Sequence, residues 1–178
     1  MSQTRFKQIK RYLHLSNPEE NKIESSKDHS LWRQKVDPIL GQLLLFSWRC
    51  RLPSSNVIID KAMRLCTGRS IDTYKMPNKP IKLGYKFHCQ ANRDYIVDFL
   101  STSSKSELNP IPRISELSYT GSAVYHLATT LQQLDPHPAW NLYVDNFYTS
   151  FPLFKKLKEL KLVLLALLAP ALGTFLKV

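Results

Sequence analysis

Two aspartates in this sequence directly follow short apolar runs. Asp60 follows residues 57–59, and Asp145 follows residues 142–144, so that the two acids are 85 residues apart. Runs of this composition are typical of buried strands, which predicts each carboxylate at or near the end of a strand. If the strands are neighbours in one sheet, the two carboxylates can share a divalent cation, since Mg²⁺ prefers hard oxygen ligands. A pair of such ions can activate and stabilise the oxygens of an in-line phosphoryl transfer.

Either aspartate alone also has a structural interpretation. A carboxylate at a strand end commonly caps a turn or a helix, and Asp145 precedes Asn146 and a predicted helix near Thr149 and Ser150. The pair of such positions, with a strand, a hairpin, a helix and a second strand in that order, favours the metal-binding interpretation over two unrelated caps.

Hydrophobic periodicity and turn residues predict the elements that must position these aspartates. In chain order they begin with two helices at 4–15 and 31–49, a strand at 57–59 and an antiparallel hairpin whose strands, 84–91 and 95–100, flank a turn at 92–94. A helix at 120–134, a strand at 140–144 and a last helix containing Leu153, Leu157 and Leu160 follow. Trp32 and Trp140 each border an apolar segment, which predicts that they are core anchors.

The charge of the chain indicates a polyanionic partner. Twenty-five lysines and arginines oppose 14 acidic residues, a net charge of +11, which suits nucleic acid or an anionic membrane surface. The excess is concentrated in residues 57–93, beside Asp60. Within it, four lysines interleaved with Tyr74 and Tyr85 are predicted to contact DNA phosphates: Lys75, Lys79, Lys82 and Lys86. The alternative interpretation is a solvated lysine face on a loop that Pro77 and Pro80 shape.

Other kinds of metal centre are disfavoured. The three cysteines are an odd number without a C-x-x-C pair, which excludes a zinc ribbon and a disulfide framework and indicates a reducing compartment: Cys50, Cys66 and Cys89. His88 and Cys89 are adjacent on a predicted strand, so their side chains point to opposite faces and do not share one metal.

The termini show no clear membrane signal. Residues 1–15 lack the apolar core of a secretory signal, and the uncharged run 162–176 is 15 residues long and interrupted by Pro170 and Gly173, whereas a spanning helix needs about 20 residues. No membrane partner is expected. A membrane-peripheral protein remains a third interpretation, because several lysines flank this run: Lys155, Lys156, Lys158, Lys161 and Lys177.

Four blocks of the sequence resemble the piggyBac transposase family, in the family's order: VIIDKAM at 57–63, GRS at 68–70, YKMPNKPIKLGYK at 74–86 and LYVDNFYTS at 142–150. MPNKPIKLGYK and VDNFYTS are the specific strings, and the similar region runs from about residue 1 to about residue 161. The resemblance implies an α/β fold with an RNase H-like mixed sheet flanked by helices, preceded by N-terminal helices and incomplete at the C-terminus.

The resemblance also implies a cut-and-paste DNA transposase of the DDE type. By position, Asp60 resembles the first catalytic aspartate and Asp145 the second, and both would bind Mg²⁺ or Mn²⁺. The implied partner is DNA, as transposon ends or target; the implied compartment is the nucleus, and a homodimer is a further option.

Three departures from the family pattern weigh against catalysis. Lys61 stands where family members usually carry an acidic residue, and its charge should weaken cation binding. The third aspartate of the family lies beyond the equivalent of Thr174, and the last acidic residue here is Glu159. The stretch 162–171 departs from the family's helix-to-strand passage.

The predicted elements, the resemblance and its departures together divide the chain into three regions. These are an N-terminal helical region at 1–50, a partial RNase H-like catalytic domain at 51–161 and a divergent apolar tail at 162–178. The expected function is that of a transposase-derived fragment that is not catalytically competent alone. The alternative is a non-catalytic DNA-binding or protein-interaction module. Whether the tail packs as a helix or as a strand is left open, because Pro170 limits both.

Overall fold

The computed structural model describes residues 1–13, 36–50, 53–68, 70–103, 111–135 and 139–167. Its elements follow in chain order: α1 Gln3–Tyr12, α2 Asp37–Cys50, β1 Asn56–Leu65, β2 Tyr74–Lys75, β3 Leu83–Asn92, β4 Tyr95–Thr102, α3 Tyr119–Leu134, β5 Asn141–Asp145, α4 Phe151–Glu159 and β6 Val163–Leu167. The predicted order of helices, hairpin and strands is reproduced, and β2 and β6 are added to it. Trp32 lies outside the described residues.

Six strands form one mixed sheet, in the order β2-β3-β1-β5-β6, with β4 also paired to β3. The first three long strands, β1, β3 and β4, are antiparallel, whereas β1, β5 and β6 run parallel to one another. A parallel neighbour needs a crossover connection, and α3 and α4 supply the two crossovers that lead into β5 and β6.

Strand β1 is longer than the apolar run that predicted it. Pairing with β3 continues as far as Leu65↔Gly84, while pairing with β5 stops at Ile59↔Val144. The prediction that Asp60 ends a strand is therefore wrong for β1 as a whole, because hydrogen bonding to β3 extends the strand through polar residues. Asp60 instead stands where the parallel neighbour ends.

The core lies on one face of the sheet. Val57 and Ile59 of β1 and Leu142 and Val144 of β5 are fully buried, and the residues between them are exposed or half-buried. Apolar side chains of α3 and α4 cover this face: Val124, Leu127, Ala128, Leu131, Leu153 and Leu157. Each buried aliphatic side chain of this size contributes about 1.5–3 kcal/mol relative to exposure, so this face holds the sheet and helices together.

Trp140 anchors the start of β5, as its position predicted. Its side chain is buried, and its indole N–H donates a hydrogen bond of 3.2 Å to the carbonyl of Asp135 at the end of α3. The ring thereby fixes the passage from α3 into the strand that carries Asp145.

The first residues of the apolar tail belong to the sheet. β6 pairs with β5 from Asn141↔Val163 to Asp145↔Leu167, so the choice between helix and strand is resolved in favour of a strand up to Leu167. Among the helices in the described ranges, none is long and apolar enough to cross a membrane.

A close approach of two backbones explains the glycine in the MPNKPIKLGYK string. A Cβ atom at Gly84 would lie 2.1 Å from the carbonyl oxygen of Arg64 on β1. Because this separation is a steric clash, only glycine, which has no Cβ, fits at this position. Gly84 thus lets β1 and β3 stay paired up to the loop that carries the candidate DNA-binding lysines.

Candidate metal and phosphate site

Parallel pairing brings Asp60 and Asp145 to the same edge of the sheet. Asp60 and Asp145 each stand one residue beyond the paired Ile59 and Val144. Because successive side chains alternate between faces, both aspartates leave the sheet on the side opposite the buried core. The structure therefore provides the neighbouring strands that a shared carboxylate site requires.

The turn after β5 is stabilised by the backbone of Asp145 and not by its carboxylate. The carbonyl of Asp145 accepts hydrogen bonds from the N–H of Tyr148 at 2.9 Å and from the hydroxyl of Thr149 at 3.3 Å. Helix α4 begins after Ser150. The Asp145 residue therefore stabilises the turn through its backbone carbonyl, and its carboxylate contacts a different residue.

That contact is Lys61. Its Nζ atom lies 3.5 Å from Oδ2 of Asp145, with side-chain exposures of 18% and 40%, and 4.3 Å from the centre of the Phe147 ring. Its backbone N–H donates a 2.7 Å hydrogen bond to Oδ1 of Asp60. One residue thus contacts both aspartates, and its ammonium is a cation already placed against one of them.

These donors do not fit a divalent cation as they stand. One or two carboxylates, completed by water and substrate oxygens, commonly hold Mg²⁺, but here the carboxylate of Asp145 is paired with the ammonium of Lys61. Within the described ranges no three His, Cys, Asp or Glu side chains converge on a point that could hold a metal. His88 and Cys89 face opposite sides of the sheet, since they pair with Lys61 and Asp60 respectively.

A buried hydrogen bond on the core side was not predicted from the sequence. Nδ1 of His88 lies 2.6 Å from the hydroxyl of Tyr148, and both side chains are buried. Burial, with Lys86 and Lys61 adding to it, lowers the pKa of His88 to about 4. Burial and then the charges of Asp60, Cys89 and Asp145 raise the pKa of Tyr148. The pair is therefore neutral and braces β3 against the turn that follows Asp145.

No periodicity could have indicated this pair. Tyr148 lies in the VDNFYTS string and His88 in a strand, 60 positions apart. The position of His88 depends on the register of β1 and β3, which places it directly opposite Lys61. The sequence does not show this register.

The four predicted DNA-binding lysines lie on and around one loop. Lys75 is exposed on β2, and Lys79 and Lys82 are exposed in the loop before β3, which a 2.8 Å hydrogen bond from the N–H of Met76 to the carbonyl of Lys82 closes. Lys86 is half-buried on β3 with its Nζ 4.3 Å from the centre of the Tyr74 ring. Burial, and secondarily the charge of Lys61, lower the pKa of Lys86.

A cavity of about 200 Å³ lies between this loop and β1. Its lining combines three lysines with four apolar side chains: Lys61, Lys79, Lys86, Met63, Met76, Pro80 and Ile81. The structure thus brings together two of the predicted lysines and adds Lys61, which the sequence had suggested only as a neighbour of the metal site. Lys75 and Lys82 do not line the cavity.

The strand order and the helical crossovers define an RNase H-like domain. In structure, the chain is similar to piggyBac transposase in a cryo-EM structure of its synaptic complex with hairpin DNA, with a TM-score of 0.74 at 20% sequence identity, over 93% of this chain and 33% of that one. The RNase H-like fold expected from the sequence is confirmed. This chain spans about a third of the length of that transposase.

Two further structures align more weakly. The catalytic domain of Mos1 mariner transposase gives a TM-score of 0.40 at 14% identity, over 83% of this chain and 65% of that one. The Mos1 transposase paired-end complex with the left transposon end gives 0.38 at 14% identity, over 92% and 49%. Scores this low do not bear on the fold. No curated protein matches the chain.

The family is decided by the sequence model described as Transposase IS4, which matches residues 1–171. The chain therefore belongs to the Transposase IS4 family and is of the piggyBac type, as the sequence resemblance indicated.

Proposed function

We propose that this chain is a DNA-binding portion of a DDE-type transposase catalytic domain, in which Lys61 keeps the inherited carboxylate pair from binding a divalent cation. The observation that carries the proposal is the lysine-bearing loop beside Asp60 and Asp145. Since the chain spans a third of the piggyBac transposase chain, the activity of a complete transposase is not attributed to it.

The lysine loop has the chemistry that phosphate binding requires. Lys75, Lys79 and Lys82 are exposed. The ammonium of Lys86 lies 4.3 Å from the centre of the Tyr74 ring. Lysines that neutralise phosphates release counterions from DNA, which is the main source of sequence-independent affinity. The similar piggyBac structure is a complex with hairpin DNA, which supports DNA as the polyanion.

The salt dependence of DNA binding tests this interface. For a duplex, the slope of log K against log salt is about −0.9 per neutralised phosphate. The double variant Lys79→Gln/Lys82→Gln should therefore lower the magnitude of the slope by about 2. The matched control, Lys155→Gln/Lys158→Gln on α4, removes the same charge from exposed positions and should leave the slope unchanged. Equal slopes for both double variants would contradict the proposed interface.

A second candidate function is Mg²⁺- or Mn²⁺-dependent cleavage of DNA ends, and the register of β1 and β5 favours it. Asp60 and Asp145 stand at equivalent positions on neighbouring strands, as carboxylates of a shared site would. The test is nicking or hairpin formation on transposon-like ends, lost in Asp60→Asn and Asp145→Asn. Purified protein that cleaves nothing with either ion would end this second candidate and leave the DNA-binding proposal standing.

A DNA partner also supports a nuclear location and a homodimeric state. A fluorescent fusion that stays outside the nucleus would contradict the location. Sedimentation of the chain with and without a duplex should show a two-protein species on DNA, and a single protein per duplex at saturation would contradict the dimer.

A further inference from the structure

The cavity between the lysine loop and β1 has the composition of a site for one anionic group. Lys61, Lys79 and Lys86 line it together with Met63 and Met76. Met63 and Lys86 are direct partners across β1 and β3, so paired strands hold this part of the site. A floor fixed by strand register is preorganised, which lowers the cost of binding.

The charges in the cavity are unbalanced when it is empty. Within the described part of the chain, Lys61 has a carboxylate at ion-pair distance, but no such pair is found for Lys79 or Lys86. Partial burial, and secondarily the charge of Lys61, lower the pKa of Lys86. An anion between the three ammonium groups would relieve this repulsion, and the apolar walls would strengthen the attraction by excluding water.

The size of the cavity selects the ligand. Sites for drug-sized molecules occupy about 300–1,000 Å³, whereas this one measures about 200 Å³. A tetrahedral phosphate with the first atoms of its ester groups fits within that volume.

We propose that the cavity lined by Lys61, Lys79 and Lys86 binds a single phosphate group of DNA. The proposal rests on the proposed function and deepens it, because it separates two phosphate-seating lysines of the loop from Lys75 and Lys82, which contact the backbone peripherally. Lys61 has a part in both places: its ammonium contacts Asp145, and its side chain lines the cavity. A bound phosphate would therefore share Lys61 with the carboxylate of Asp145.

The three methionines of the chain provide a direct test. Met63 and Met76 line the cavity, and Met1 is 86% exposed at the N-terminus, so methionine labelled with ¹³C at the methyl group yields two reporting signals and one internal reference. Titration with inorganic phosphate should shift the Met63 and Met76 signals to saturation and leave Met1 unmoved. Lys86→Gln and Lys79→Gln should each weaken phosphate binding about tenfold.

Lys75→Gln is the matched comparison for this test, because Lys75 belongs to the same loop surface but not to the cavity lining. It should weaken binding of a duplex and leave the affinity for phosphate unchanged. If Lys86→Gln fails to fold, the exposed Lys79 gives the same comparison. Duplexes with and without a 5′-phosphate distinguish a terminal phosphate from an internal phosphodiester: only the first source requires the 5′-phosphate for the methyl shifts.

The outcomes separate the cavity from the wider function. Methyl signals that stay fixed, or a Met1 signal that moves together with the other two, would overturn the cavity, even if DNA binding with its lysine-dependent salt slope persists. Saturable, Lys79- and Lys86-dependent shifts with phosphate but no binding of any duplex would show an anion site, and would refute both DNA as the source of the phosphate and the proposed DNA-binding function.

Discussion

Replacing Lys61 with glutamate should convert the carboxylate pair into a site that binds divalent cations. The change removes the ammonium that lies 3.5 Å from Asp145 and adds a third carboxylate at the position from which Lys61 contacts Asp145. Attraction between unit charges at about 4 Å is about 1 kcal/mol in water and about 4 kcal/mol near a protein surface. Both partners are partly exposed, so the lower value applies, and a cation competing with Lys61 loses about fivefold in affinity.

The expected gain can be worked out from ligand linkage. At a free Mg²⁺ concentration ten times the dissociation constant, binding to the folded state adds about 1.4 kcal/mol to the free energy of unfolding. For a chain of this size, 1 kcal/mol raises the midpoint temperature by about 2–4 °C. Lys61→Glu should therefore melt about 3–6 °C higher in saturating Mg²⁺ than in EDTA, while the wild-type chain shows little change.

Thermal denaturation followed by circular dichroism measures this difference, with Mg²⁺ and Mn²⁺ titrated against EDTA. Lys61→Gln removes the ammonium without adding a carboxylate and should give a smaller shift. Lys61→Glu/Asp145→Asn retains only two carboxylates and should lose most of the gain. A Lys61→Glu variant with no Mg²⁺-dependent rise in midpoint temperature would show that the carboxylates do not converge. A wild-type chain whose midpoint rises as much as that of the variant would show that Lys61 does not obstruct the site.

Two further predictions concern stability. Gly84→Ala should cost about 1–3 kcal/mol or more of unfolding free energy in urea, because its Cβ would meet the Arg64 carbonyl; Gly68→Ala, with open space around its Cβ, is the control and should change little. Burial raises the pKa of Asp98 to about 6 from its ordinary 3.8, so the folded state binds this proton more tightly and the destabilisation develops as pH rises from about 4 to about 6. Asp98→Asn should therefore stabilise the fold at pH 7.5 by up to about 3 kcal/mol and progressively less towards pH 4, and a gain that is constant over this pH range would contradict the assignment.

The elements and the aspartates were predictable because they depend on local patterns. The apolar runs before Asp60 and Asp145 are recognisable as strands from their composition and the turn residues around them. The turn at 92–94 is a hairpin turn, in which Arg93 has a φ of 57°. The extent of β1 was not predictable, since residues 61–65 are held in the sheet by β3 and not by their own composition. The existence of β6 was not predictable either, because its leucines suit a helix as well as a strand. Pairing with β5 makes this segment a strand.

The cluster around Lys61 depends on strand register, and register is a long-range property. Lys61 lies beside Asp145 because β1 and β5 pair in parallel at Ile59↔Val144, and it lies opposite His88 because of the offset between β1 and β3. A shift of one residue would send each side chain to the other face. The sequence therefore showed that Lys61 stands next to Asp60, but not that its ammonium reaches Asp145 and the loop cavity.

The strands and the turn after β5 position the aspartate pair. Asp60 and Asp145 are positioned by the buried partners on the opposite face, Ile59 and Val144, and by the backbone hydrogen bonds of the turn after Asp145. Lys61 then neutralises part of the repulsion between two neighbouring carboxylates and rests against the Phe147 ring. A substitution at position 61 can thus change the chemistry of the site while the strands that carry it stay in place, which is why a single glutamate there should be enough to reveal the cation site.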